Sequence, residues 1–96
     1  MKYYNLITKG NCSFCQEAIL LLKERGEQYV YTDMENCEEV LEKVKEQIGY
    51  KTVPIIWEIS LGSGQSPEVK LIGGCDDLKE HFKGKVETII SQQSND

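Results

Sequence analysis

The alternation of strand-like and helix-like segments is the feature that most limits how this chain can fold. Lys2–Thr8 is rich in aromatic and β-branched residues, Ser13–Arg25 carries apolar residues at helical spacing, and Gln28–Thr32 alternates like a short strand. Two strands joined by a helix predict a right-handed crossover in which the strands are parallel. The first third of the chain therefore predicts a β-α-β unit.

The remaining segments continue this alternation. Cys37–Ile48 follows a helical cap at Asn36, and one stripe of the helix is apolar: Cys37, Val40, Leu41, Val44 and Ile48. Val53–Ser60 and Glu68–Ile72 form a hairpin around a Gly/Ser-rich loop, interpreted as a neutral insertion. Asp76–Ile90 is the last helix, with inward-facing Leu78, Phe82, Val86, Ile89 and Ile90.

The order β-α-β-α-β-β-α predicts an α/β protein with a four-stranded mixed sheet and helices on both faces. With 96 residues, positions 1–96 are expected to form one domain. The net charge of -5 argues against general nucleic-acid binding, and no apolar run is long enough to span a membrane. The first residues lack the long apolar stretch of a secretory leader, so we expect a cytoplasmic protein.

Two of the four cysteines, Cys12 and Cys15, lie where the first strand meets the first helix. A Cys-x-x-Cys beside a β-α-β pattern is typical of a thioredoxin-like redox site. The free N–H groups and the positive end of the helix dipole favour an anion at Cys12, and Lys9 adds a positive charge nearby. We therefore expect Cys12 to be the nucleophile and Cys15, one turn into the helix, to be the resolving thiol.

Two other uses of this pair are weaker. A zinc site would need further ligands, but Cys37 and Cys75 are isolated and the single histidine, His81, is expected to be exposed. A structural disulfide closing so short a loop would restrict little chain entropy. No metal is therefore expected, and Cys37 is interpreted as a small apolar filler.

Two more motifs follow the cysteine pair. In Lys51-Thr52-Val53-Pro54 the proline precedes strand-forming residues, and a cis Val53–Pro54 bond would leave the Val53 backbone free to pair with a bound peptide. In Gly73-Gly74-Cys75-Asp76-Asp77 the glycines allow close approach of another backbone. Asp76 is a candidate cap of the last helix and also a candidate partner for a substrate ammonium group, and the two roles are compatible because each uses a different oxygen.

In this order the three motifs resemble those of dithiol glutaredoxins, a family of the thioredoxin-fold superfamily, over about residues 2–90. The resemblance implies a glutathione-dependent thiol–disulfide oxidoreductase with a redox-active Cys12/Cys15 centre, which reduces protein disulfides and glutathione mixed disulfides. It also implies a set of glutathione-binding residues: Lys9, Phe14, Lys51, Thr52, Val53, Pro54, Gly74, Cys75 and Asp76. Lys9 and Lys51 are expected to make the redox face locally basic.

Ser13 departs from the family pattern, which has proline after the first cysteine. Some relatives with Ser or Gly at this position bridge a [2Fe–2S] cluster between two subunits, so a cluster carrier or sensor is an alternative function. A thioredoxin-type reductant recycled by a reductase is another. Expected partners are glutathione and disulfide-containing proteins, with ribonucleotide reductase as a family-level expectation, and the chain is expected to be a monomer.

Overall fold

The computed structural model describes residues 1–83. Within them the chain forms four strands and two complete helices, in the order β1 Lys2–Thr8, α1 Ser13–Glu24, β2 Tyr29–Asp33, α2 Glu38–Ile48, β3 Ile55–Ser60 and β4 Glu68–Gly73. Residues 75–83 are helical and are called α3. The inward positions predicted for Val86, Ile89 and Ile90 lie outside the described residues.

The four strands form one sheet in the order β2-β1-β3-β4. β1 and β2 are parallel, with Thr8 opposite Asp33, while β3 is antiparallel to β1 and β4 is antiparallel to β3. The predicted mixed sheet is confirmed. β3 begins at Ile55, two residues later than predicted, so Val53 and Pro54 lie in the loop before it.

The main core lies between one face of the sheet and helices α1 and α3. Alternate residues of the central strands meet both helices there, in a buried cluster of Tyr4, Leu6, Ala18, Leu22, Ile56, Cys75, Leu78 and Phe82. Full burial of a large aliphatic or aromatic side chain contributes about 1.5–3 kcal/mol, so this cluster fixes both helices on the sheet. The inward positions predicted for Leu78 and Phe82 are confirmed.

The helix ends within residues 1–83 lie within one residue of their predicted positions. α1 begins after Cys12 and has Arg25 as its C-cap, where Arg25 N–H donates to the Leu21 carbonyl and Gly26 N–H donates to the Lys23 carbonyl. The cap of α2 is Cys37, not Asn36, and its side chain makes no capping hydrogen bond. Gly49 ends α2 at φ 84°, a conformation that glycine adopts without steric cost.

Parts of the predicted apolar stripes face solvent. On α2 only Leu41 is fully buried, whereas Val40 is 52% exposed and Cys37 is also exposed. The interpretation of Cys37 as an apolar filler is therefore wrong. On α1 the buried residues are Cys15, Ala18 and Leu22, while Phe14 lies one position outside this face. An apolar residue at an approximately helical spacing is buried only if the sheet extends under it.

His81 is half-buried and in hydrogen-bond contact with Glu58, not exposed as the sequence predicted. Its Nε2 lies 2.9 Å from Glu58 Oε2, and the Tyr4 hydroxyl donates to the same oxygen at 2.7 Å. Lys2 Nζ is 3.7 Å away. Burial alone would raise the pKa of Glu58, but the bonds from Tyr4 and His81 and the Lys2 charge lower it. This network ties α3 to β1 and β3.

The loop between β3 and β4 lies at the end of the sheet away from the cysteine pair. Ser60 is opposite Lys2 at the start of β1, and Leu61 N–H donates to the Met1 carbonyl at 2.7 Å. Cys12 follows the other end of β1. The loop is therefore remote from the redox pair. No helix described in residues 1–83 is long and apolar enough to cross a bilayer.

Candidate functional site

The Cys12 sulfur lies at the start of α1 and makes hydrogen bonds with two backbone groups. Cys12 has extended backbone angles and serves as the N-cap, and its Sγ accepts a hydrogen bond from Cys15 N–H at 3.2 Å. The thiol also donates to the Val53 carbonyl oxygen at 3.8 Å. Cys12 is half-buried, so its sulfur is open to a substrate while its orientation is fixed.

Cys15 is a different kind of thiol. It is 3% exposed, and burial raises its pKa to about 12, with a further contribution from its hydrogen bond to the Cys12 side chain. A backbone hydrogen bond at Lys9 acts in the opposite direction. At neutral pH Cys15 is therefore a protonated thiol directly behind the accessible sulfur. This division of exposure matches the requirements of a nucleophile and a resolving thiol.

Most of the predicted glutathione-binding residues line one groove, which we call the Pro54 groove. Its volume is about 220 Å³, and it is lined by Phe14, Thr52, Val53, Pro54, Gly74, Cys75, Asp76 and Asp77. The Val53–Pro54 peptide bond is cis. Within residues 1–83 the Val53 N–H makes no hydrogen bond, whereas its carbonyl accepts from Cys12. Phe14 is 56% exposed at the rim.

Asp77 rather than Asp76 caps α3. Leu78 N–H donates to the Gly74 carbonyl, which places Gly74 at the N-cap, and the Asp77 carboxylate accepts from Gly74 N–H at 2.8 Å. A Cβ on Gly73, which has φ 123°, would overlap that carboxylate. Asp76 is exposed and lines the groove, and its carboxylate has no hydrogen-bond partner among the described residues. It is available to a bound cation.

The two lysines expected at the redox face lie outside the Pro54 groove. Lys9 Nζ forms an ion pair with Glu38 Oε1 at 3.4 Å. Lys51 is exposed and faces the C-terminal end of α2 beside Glu46. The charge of Lys9 is therefore partly balanced by Glu38, the first residue of α2, and this pairing was not predicted from the sequence.

A second cavity, the Tyr31 cavity, has a volume of about 180 Å³ and contains both cysteines. Its lining residues are Thr8, Lys9, Gly10, Asn11, Cys12, Cys15, Gln16, Ile19, Tyr31 and Asp33. Tyr31 and Asp33 were not among the site residues predicted from the sequence. A signal existed: parallel β1 and β2 end at the same edge, so the end of β2 lies beside the loop that carries Cys12.

Cys75 is buried at the floor of the Pro54 groove. Burial first, and then the Glu17 carboxylate, raises the pKa of the Cys75 thiol, and Glu17 is also ion-paired with Lys79. Cys37 is exposed on α2. Across the described part of the chain, no three His, Cys, Asp or Glu side chains are grouped to hold a metal ion.

Comparison with known proteins agrees with this geometry. The family model Glutaredoxin matches residues 5–59, more than half of the chain. A glutaredoxin from Brucella melitensis is 26% identical with a TM-score of 0.64, covering 91% of this chain and 86% of that one. A buckwheat glutaredoxin–glutathione complex has 21% identity and a TM-score of 0.65, covering 95% of this chain and 78% of that one. A search of curated proteins finds no match.

A half-exposed thiol at a helix start, a buried thiol one turn later and a mixed sheet define a thioredoxin-like thiol oxidoreductase. The chain belongs to the glutaredoxin family. A dithiolic glutaredoxin from Trypanosoma brucei brucei has the same fold, with 22% identity and a TM-score of 0.62 over 91% of this chain and 84% of that one. The predicted fold class and enzyme class are therefore confirmed.

Proposed function

We propose that this glutaredoxin uses glutathione to reduce glutathione mixed disulfides and protein disulfides. The observation that carries the proposal is the contrast within the cysteine pair: Cys12 is accessible and held by Cys15 N–H, whereas Cys15 is buried with a raised pKa. An enzyme that reduces protein disulfides with a dithiol needs one sulfur that substrates reach and a second that attacks the resulting mixed disulfide from within the protein.

The Pro54 groove supports glutathione as the co-substrate. Glutathione is a short peptide with one ammonium and two carboxylates, so it needs backbone pairing and one anionic contact. The free Val53 N–H offers the backbone pairing, and the Asp76 carboxylate offers a partner for the ammonium. Phe14 and Pro54 flank the cysteinyl portion, with Thr52, Gly74 and Cys75 completing the walls. Lys9 and Lys51 are proposed to approach the carboxylates from outside the groove.

With a glutathionylated substrate, the Cys12 thiolate attacks the glutathione sulfur. A Cys12–glutathione disulfide forms, the original S–S bond breaks, and the released substrate thiolate takes a proton from water. A second glutathione thiolate then attacks the glutathione sulfur of this mixed disulfide. Glutathione disulfide leaves and the Cys12 thiolate returns, so only Cys12 is needed.

With a protein disulfide, Cys12 attacks one sulfur and the other leaves as a thiolate. Cys15 then loses its proton and attacks the Cys12 sulfur, which forms the Cys12–Cys15 disulfide and releases the second substrate thiolate. Two glutathione molecules restore the dithiol and become glutathione disulfide. The high pKa of Cys15 makes its deprotonation the costly part of this route.

The Cys12–Val53 contact links the nucleophile to the groove. The Cys12 thiol donates to the Val53 carbonyl, so loss of the thiol proton releases that carbonyl. A peptide-like ligand can then pair with both the N–H and the carbonyl of Val53. Ionisation of the nucleophile therefore prepares the groove for glutathione.

The direct test measures turnover of a small glutathione mixed disulfide and of a protein disulfide by the wild type, Cys12→Ser and Cys15→Ser. We expect Cys12→Ser to lose both activities and Cys15→Ser to lose only protein-disulfide reduction. The matched control is Cys37→Ser, an exposed thiol outside the pair. Mixed-disulfide turnover by Cys12→Ser would contradict the proposal.

The reductant and the cluster alternative are tested separately. We expect glutathione with glutathione reductase to recycle the oxidised protein, and thioredoxin reductase to do so poorly; the reverse result would indicate a thioredoxin-type reductant. Iron and sulfide analysis after anaerobic reconstitution with glutathione tests a cluster carrier. A coloured dimer that contains iron would favour that function.

A further inference from the structure

The Tyr31 cavity lies beside the cysteine pair, and apart from Cys12 and Lys9 its lining residues have no part in the proposed glutathione site. It shares no lining residue with the Pro54 groove, while Cys12 lines the cavity and contacts Val53 of the groove. We propose that the cavity binds a lysine or arginine side chain next to the disulfide of a protein substrate. This inference rests on the proposed function, because it concerns which disulfides the dithiol reduces.

The walls of the cavity suit the apolar stem of a long cation. Tyr31 is 55% exposed at the edge strand, and Ile19 of α1 is partly buried behind it. The volume of about 180 Å³ equals that of about six water molecules, enough for one extended side chain. Lysine and arginine cover such surfaces with their methylene groups, and a cation gains further from an aromatic face.

The charged residues around the cavity favour a positively charged side chain in it. Asp33 accepts a hydrogen bond from Glu35 N–H through Oδ1, and its Oδ2 has no partner within residues 1–83. The Glu35 carboxylate lies against Gly10, while Lys9, the cationic residue of the lining, is paired with Glu38.

A basic side chain would therefore meet an unpaired carboxylate. An acidic one would be repelled by Asp33 and Glu35, and a neutral apolar one would cover Asp33 without pairing it. Charge complementarity therefore favours the binding of a lysine or arginine side chain in the cavity.

The test compares two peptides that each contain one intrachain disulfide and differ only in their flanking residues, lysine in one and glutamate in the other. We expect wild-type kcat/KM to be higher for the lysine peptide. Asp33→Asn should lower the lysine-to-glutamate ratio of kcat/KM about two- to fivefold, the value of one exposed ion pair. Asparagine keeps an oxygen for Glu35 N–H, so the loop is retained.

The control is Glu68→Gln, which removes the same charge at the far end of the sheet and should leave the ratio unchanged. Turnover of the mixed disulfide between glutathione and 2-mercaptoethanol is measured for every variant, and the kcat/KM values of both peptides are compared with it. An unchanged ratio in Asp33→Asn, with that turnover intact, would overturn the inference and leave the proposed function standing.

A binding measurement decides the question even without turnover. The lysine peptide with serine in place of both cysteines is titrated into 15N-labelled protein. We expect amide shifts to change at Tyr31 and Asp33 in the wild type and to be reduced in Asp33→Asn. Shifts absent from these residues in the wild type, or equal in the variant, would refute the cavity as the binding site, whether or not glutathione proves to be the reductant.

Discussion

The backbone N–H of Cys15 donates to the Cys12 sulfur at 3.2 Å, so the residue proposed to resolve the mixed disulfide also orients the proposed nucleophile. The bond joins the N-cap of α1 to the N3 position, where a side-chain acceptor normally satisfies a free N–H. Here the acceptor is the reactive sulfur itself. One hydrogen bond therefore both caps α1 and fixes the position of the proposed nucleophile.

The two thiols should differ widely in their rates of alkylation. With a pKa of about 12, Cys15 is ionised in about 1 molecule in 10,000 at pH 8, and it is also buried. We expect iodoacetamide to modify Cys12 at least 100-fold faster than Cys15, as measured by peptide mass spectrometry over time. Protein unfolded in urea is the control, and there the two rates should converge. Comparable rates in the folded protein would contradict the assigned roles.

Glu58→Gln should destabilise the fold in a pH-dependent way. The pKa of Glu58 is lowered in the folded protein, so its stabilisation is present above its unfolded pKa and is lost as pH falls through the folded pKa. We expect a loss of about 1–3 kcal/mol at pH 7 in urea unfolding, because Tyr4 and His81 lose a charged partner. The difference from the wild type should shrink below about pH 4. Glu68→Gln, on the exposed edge strand, should change stability little at either pH.

Gly73→Ala should damage both stability and the Pro54 groove. Gly73 has φ 123°, and a methyl group there would displace the Asp77 carboxylate from Gly74 N–H. We expect a loss of about 2–3 kcal/mol in unfolding free energy and a higher KM for the glutathione mixed disulfide. Gly64→Ala is the matched control, since it also has a positive φ but open space around it. It should cost about 1 kcal/mol and leave KM unchanged.

Glu38→Gln should strengthen binding of glutathione-containing substrates. Lys9 is paired with the Glu38 carboxylate, which competes with a glutathione carboxylate for the same ammonium group. We expect KM for a glutathione mixed disulfide to fall about twofold at low salt, and the effect to fade as ionic strength rises. Glu39→Gln removes an equal charge one residue along α2 and should have a smaller effect. A higher KM in Glu38→Gln would mean that Lys9 does not contact the substrate.

Most of the site could be predicted because its parts are local. Cys12 and Cys15 are three residues apart across a strand-to-helix junction, and the groove is built from two short motifs, Thr52–Pro54 and Gly74–Asp77. Such motifs act through backbone geometry and helix ends, which their own residues encode. The predicted range of β1 matches the structure for the same reason, because the pattern of side chains that predicts this strand lies within a single short segment.

Pairings between distant segments could not be predicted. The partner of His81 is Glu58, and the partner of Lys9 is Glu38; each pair depends on which elements are neighbours and in which register. Asp77, not Asp76, makes the side-chain hydrogen bond at the start of α3, because α3 begins one residue earlier than predicted and Gly74 is its N-cap. Val40 and Cys37 are exposed because no other segment within residues 1–83 covers that end of α2.

The sequence by itself determined the order of strands and helices, the reactive pair at a helix start and the residues of the groove, because hydrophobic period, turn chemistry and helix capping act over a few neighbouring positions. Only the tertiary structure decided the charge around that pair. It brought Tyr31 and Asp33 beside the cysteines and neutralised Lys9 with Glu38. Electrostatic interactions act through space, and the spacing between charges exists only once the sheet and helices are packed.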